Sequence, residues 1–319
     1  MKLIPFAILS TLVFGVMLLT ANQFSAYALE FAHKTMWGEK GVAQGQFNQV
    51  SGIGVDSKDN VYVSDFAGYT TQMIQKFTPN GTIILGFGTF GNGPQYFTNP
   101  AGIAINSNDS IYIADFGNPT YAIKEFTSNG TFIRSIGSFG LGPGLFISPG
   151  GVGVDKENNL YATDFGENNN VQKFDQDGNF LMSFGSPGLS DGQFNNPADV
   201  AIDPNNNIFV TDSSNNRVQK FDQDGNFLMK FGTFGSGNGQ FKAPVDLAID
   251  PSNNIYVSDS DNNRIQVFNN NGTYITQFGN IGALHELIKD PVGIALDSQG
   301  NVYVADGRDT DIHVFSPIP

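Results

Sequence analysis

The stretch Ile208-Phe209-Val210-Thr211-Asp212-Ser213-Ser214-Asn215-Asn216-Arg217-Val218-Gln219 returns with few changes as Ile255-Tyr256-Val257-Ser258-Asp259-Ser260-Asp261-Asn262-Asn263-Arg264-Ile265-Gln266. Each copy opens with a β-branched and aromatic run, stops at Asp, turns through polar residues and resumes as a second run, which reads as two short strands and a tight connection. Working outward, the strand-ending Asp recurs as Asp65, Asp115, Asp164, Asp212, Asp259 and Asp306, each nine residues after Asp56, Asn106, Asp155, Asp203, Asp250 or Asp297. The resulting spacings of 50, 49, 48, 47 and 47 residues are those of strand-built propeller blades.

Within a repeat the pattern gives four strands, in the first an inner one over Gly52 to Val55, a second over Val61 to Val63, a third ending at Phe77 and an outer one over Ile83 to Phe87. Inner strands carry Gly52, Gly54, Ala101, Gly102, Ala104, Gly151, Gly153, Ala201, Ala248 and Ala295, small residues suited to sheets converging on an axis. Outer strands carry Phe87, Phe132, Phe184, Phe231 and Phe278, which fill the wider gaps between diverging sheets. The sixth repeat stops at Phe315 without an outer strand, while Phe31 to Trp37 precedes the first. Trp37-Gly38 through Gln46-Phe47 matches Phe231-Gly232 through Gln240-Phe241, so the N-terminal strand is expected to complete blade six. The fold class is therefore all-β, a six-bladed propeller closed by its own N-terminal strand.

Lys2, the apolar run Leu3 to Leu19 and the small-residue site Ala26-Tyr27-Ala28 make residues 1 to 28 a signal peptide or retained anchor. Residues 29 to 319 then form a single propeller domain, expected to be secreted or held at the cell surface as a monomer. Sixteen Lys and Arg stand against 30 Asp and Glu, a balance that argues against nucleic acid and anionic lipid as partners. The chain has no Cys, which excludes thiol catalysis and Cys-ligated metals.

The repeats resemble the NHL family, in the run Pro-x-(Gly/Asp)-(Ile/Val)-Ala-(Ile/Val)-Asp, then Asn-(Ile/Val)-Tyr-Val-x-Asp-Ser-x-Asn-Asn-Arg-(Ile/Val)-Gln, then Gly-x-Gly-Gln-Phe. The resemblance spans the chain after the leader and is strongest over Asp212 to Gln219 and Asp259 to Gln266. It implies the fold but not one function, since such propellers include enzymes, RNA binders, sensors and scaffolds. Amidating lyases of this family hold a channel zinc through several His. Here His33, His285 and His313 fall outside the inner strands, which opposes that chemistry.

Lactonase-type propellers, also implied by the resemblance, place oxygen ligands around a channel calcium. Asp199 and Asp246 stand where other blades have Gly52, Gly102, Gly151 and Gly293, aiming two carboxylates at the channel mouth. Such a pair suits calcium; the structural reading is that each Asp caps nearby backbone amides. Asp175 to Asn179 and Asp222 to Asn226 look faintly like calcium loops, but they occupy the turn positions of Asn80-Gly81, Asn129-Gly130 and Asn271-Gly272 and lack a downstream Glu.

All variation in repeat length falls between second and third strands, and it brings aromatics with it. Blades one to three carry Phe66, Phe116 and Phe165 where blades four and five keep Ser, and add Tyr69 and Tyr121. Variable loops on one face of a repeat array mark a functional surface. These five residues are the expected ligand-binding set, for a protein, peptide or glycan, without a cofactor. The competing expectation is a calcium-dependent lactonase or lyase using Asp199 and Asp246.

Overall fold

The computed structural model describes residues 29–66, 72–279 and 288–318. The leader, Tyr69 and His285 lie outside them. The described residues form six four-stranded antiparallel sheets. In blade one the strands are Val50–Val55, Val61–Asp65, Ile74–Phe77 and Ile83–Phe87, in that order from the axis. Blade six is built from Pro291–Leu296, Val302–Asp306, Asp311–Pro317 and, as its outer strand, Phe31–Trp37. The expected ring closure is therefore present, with Phe31 opposite Pro317, Met36 opposite His313 and a register irregularity between His33 and Thr35. No helix among the described residues is long and apolar enough to cross a membrane.

Second strands are buried along their whole length, whereas outer strands alternate half-buried and exposed residues. This is what a sheet sandwiched near the axis and opening outward requires. The Phe that opens each repeat (Phe47, Phe97, Phe146, Phe194, Phe241, with Ile288 in blade six) is fully buried. It packs against the third-strand Phe, as Phe97 does on Phe126 and Phe241 on Phe268, with ring centroids 5.5 Å apart. Each such ring contributes about 1.5–3 kcal/mol by leaving water. At the closing seam Trp37 packs on Phe77 at 4.5 Å and Phe31 on Phe278 at 4.4 Å, so the N-terminal strand contacts both neighbouring blades.

The repeated polar residues are structural. Each strand-ending Asp accepts backbone amides of the connection entering its blade, as Asp65 does from Asn48 and Gln49 and Asp164 from Ile147 and Ser148. A hydroxyl one position earlier links blades. Ser64 Oγ accepts the Gly52 amide at 2.7 Å and donates to the Ala101 carbonyl of the next blade at 2.8 Å. Thr211 joins Asp199 to Val245 in the same way, both at 2.8 Å. These buried groups are satisfied by partners, which spares the ring the cost of burying them unpaired.

Candidate functional site

Inner strands approach so closely that most blades admit no side chain at the channel mouth. A Cβ on Gly52 would lie 2.2 Å from the Ala101 carbonyl oxygen, and one on Gly293 would lie 2.6 Å from that of Ser51. Asp199 and Asp246, both half-buried, interrupt this ring of glycines. Their amides are anchored on Thr211 Oγ1 at 2.8 Å and Ser258 Oγ at 2.7 Å. Asp199 Oδ2 accepts the Leu247 amide of the next blade at 3.2 Å, and the Ile294 amide of the blade after that draws down the raised pKa of Asp246. Asp199 thus caps backbone in the following blade, as the structural reading expects.

The two carboxyls are close enough to interact, and like charges so near one another disfavour joint ionisation. Burial and then the charge of Asp199 push Asp246 well above the usual carboxylate range. Burial raises Asp199 to about 7, against the lowering effect of the Val200 and Leu247 amides and of Asp246 itself. The pair therefore holds protons more readily than two free carboxylates, releasing them in two linked steps.

The carboxyls stand where two cavities meet. One of about 180 Å³, on the side of the variable loops, is lined by Phe165, Asn196, Ala198, both aspartates and the inner-strand glycines. The other, of about 230 Å³, is lined mostly by inner-strand aliphatics such as Ile105, Val154 and Ile202. Among these lining residues, Asp199 and Asp246 are the only titratable ones. A calcium ion takes about six to eight oxygens. The side chains present offer the two carboxyls, Asn196 and Ser51, so backbone carbonyls and water would have to supply about half of the shell.

The aromatic residues divide. Phe66 stacks on Phe116 with centroids 5.3 Å apart, and Phe116 meets Phe165 edge-on at 5.7 Å, forming one row across blades one to three. All three are half-buried and follow directly on a strand-ending Asp, their amides bound to the carbonyls of Gln49, Asn99 and Ser148. Tyr121 does not join them. It sits where the loop of blade two returns to its third strand, and its ring packs at 4.9 Å on Phe139, which is 59% exposed. The opening therefore has an aromatic wall over blades one to three and an acidic one at blades four and five.

Sequence reasoning missed a second cluster. His33 Nε2 lies 3.1 Å from His313 Nδ1 across the closing seam, and His313 neighbours Asp311 and Asp306. The signal was available: ring closure brings the two strands together, and Asp311 and His313 occupy the positions of Arg264 and Gln266 in blade five.

NHL repeats are recognised at residues 97–119, 194–221 and 241–268. No curated protein sequence matches the chain. Among solved structures it is similar to virginiamycin B lyase from Staphylococcus aureus, at 16% identity and a TM-score of 0.60 over 91% of this chain and 99% of that one. A gluconolactonase from Xanthomonas campestris matches at 12% identity and 0.65, covering 90% and 99%. An auxiliary nutrient binding protein from Bacteroides thetaiotaomicron matches at 12% and 0.67, covering 93% and 79%. At such identities the likeness shows the fold alone. The chain is a six-bladed β-propeller carrying NHL repeats, an architecture these lyase, lactonase and binding proteins share.

Proposed function

We propose that this chain is an exported, non-enzymatic binding module that takes a projecting group of a protein or peptide partner into the funnel on its variable-loop face. One observation carries the reading. Phe165 belongs both to the aromatic row and to the cavity floored by Asp199 and Asp246, so apolar and acidic walls face one opening. A volume of about 180 Å³ suits one inserted side chain better than a drug-sized ligand, for which pockets run to roughly 300–1,000 Å³. The group that fits is a cationic or hydroxylated side chain with an apolar stem: the stem lies against the rings, and its donor meets the two carboxyls. Selection of displayed peptides on the purified protein tests the reading. Enrichment of Lys, Arg, Ser or Thr beside an apolar residue supports it, whereas binding only to sugars in a parallel glycan array assigns the funnel to glycans instead.

A second reading rests on the acid pair. A carboxyl raised to about 7 beside a second raised one is suited to acid–base catalysis near neutral pH, and lactonase or lyase chemistry with or without calcium is its natural outlet. Turnover of lactones that is lost in Asp199→Asn would establish it.

A further inference from the structure

In blade four Arg217 Nε donates to Asp212 Oδ2 at 2.7 Å and Gln219 Nε2 donates to the same oxygen at 3.0 Å. Arg264 and Gln266 repeat this on Asp259 at the same distances, and in blade two Lys124 pairs with Asp115 at 2.7 Å. Blade six puts Asp311 where the arginines stand and His313 where the glutamines stand. A second carboxylate thus replaces a cation beside a buried one.

Asp306 is 0%, Asp311 6% and His313 3% exposed. Asp306 is held by the amides of Lys289, Arg308 and Asp309. Among the described residues no Lys or Arg side chain pairs with Asp306 or Asp311; the one ion-pair contact at either is that of His313 with Asp311. Asp311 Oδ1 and His313 Nε2 approach to 3.2 Å without the alignment of a hydrogen bond, and both atoms are buried with no other partner. Two buried carboxylates without a fixed cation are strongly unfavourable.

One ligand atom from each of Asp306, Asp311 and His313 lies within 4.8 Å of the others. Tetrahedral ligands held about 2.0–2.2 Å from an ion sit roughly 3.3–3.6 Å apart, so closure needs side-chain shifts on the order of an ångström. We propose that these three residues bind a divalent transition-metal cation of the zinc class inside blade six, through both carboxylates and His313 Nε2. An imidazole ligand favours zinc or manganese over calcium, and two carboxylates balance the charge. With Nε2 on the metal, His313 Nδ1–H donates to His33 Nε2 at 3.1 Å, the outer hydrogen bond that orients a metal-bound imidazole. His33 belongs to the closing strand, so the ion staples second and third strands of blade six directly and the outer one through His33.

The test strips the purified chain with chelator, dialyses it against zinc, manganese or calcium, and measures bound metal and melting temperature. One equivalent of zinc or manganese is expected, with zinc at a hundred times its Kd raising Tm by on the order of 5 °C, and no such response to calcium. Asp311→Arg with His313→Gln, which recreates the pairing of blades four and five, should fold and lose both metal and response. Asp311→Asn, which keeps the side-chain shape, should bind at least tenfold more weakly, and His33→Ala about 10–100-fold more weakly. A wild-type chain holding no more metal than the double variant, or an Asp311→Asn chain with unchanged affinity, would overturn the proposal.

Discussion

Asp199 Oδ2 accepts the amide of Leu247 in the next blade at 3.2 Å, which brings its carboxyl beside that of Asp246 where the ring of channel glycines is interrupted. Two carboxyls so placed repel when both are ionised, and with burial this pushes Asp246 well above the usual carboxylate range.

Asp199 is raised to about 7, so the folded chain keeps a proton that the unfolded chain releases at the ordinary carboxylate value. Stability from this group is fully present below that ordinary value and is lost as pH rises toward 7, by up to about 1.4 kcal/mol per pH unit for one proton. Asp246→Asn removes the proton that Asp246 takes up on folding and leaves Asp199 raised by its own burial. Melting curves from pH 4.5 to 7.5 should show the wild type losing several degrees more than this variant. Parallel curves for the two would show that Asp246 takes up no proton on folding.

Closure of the ring by Phe31–Trp37 makes that strand essential, since its removal exposes the Asp311–Pro317 edge and the faces of Phe77 and Phe278. A chain starting at Gly38 should melt at least 10 °C below one starting at Leu29, or aggregate. Trp37→Ala alone should cost about 2–4 kcal/mol by denaturant unfolding.

Arg264 is a structural cation rather than a ligand contact. Besides Asp259 it reaches the carbonyls of Gly237 and Gln240, tying the third strand of blade five to the loop that enters the blade. Arg264→Ala strands a buried carboxylate and should cost about 3–5 kcal/mol, read as a lower urea midpoint with no change in ligand affinity measured below the transition.

The sequence revealed the blades because each repeat keeps its fixed intervals, and the closing strand because Trp37 to Phe47 matches Phe231 to Phe241. It also placed Asp199 and Asp246 side by side, since neighbouring inner strands converge. Their raised proton affinity was not legible: it depends on how deeply both carboxyls are buried and how near they come, which no spacing reports. Loop composition grouped five aromatics, but Phe66, Phe116 and Phe165 begin their loops at the channel whereas Tyr121 ends its loop further out, against Phe139. The cluster at His313 was overlooked because histidines were judged by inner-strand position, although the closing register already put the strands of His33 and His313 side by side.

The proposed function places recognition between the aromatic row and the acid pair. Titration calorimetry with a display-selected peptide tests it on wild type, Phe116→Ala, Asp199→Asn with Asp246→Asn, and Leu228→Ser, an exposed outer-strand control. The two funnel variants should each weaken binding at least tenfold, about 1.4 kcal/mol, and the control should bind as the wild type does. Undiminished affinity in both funnel variants would contradict the account.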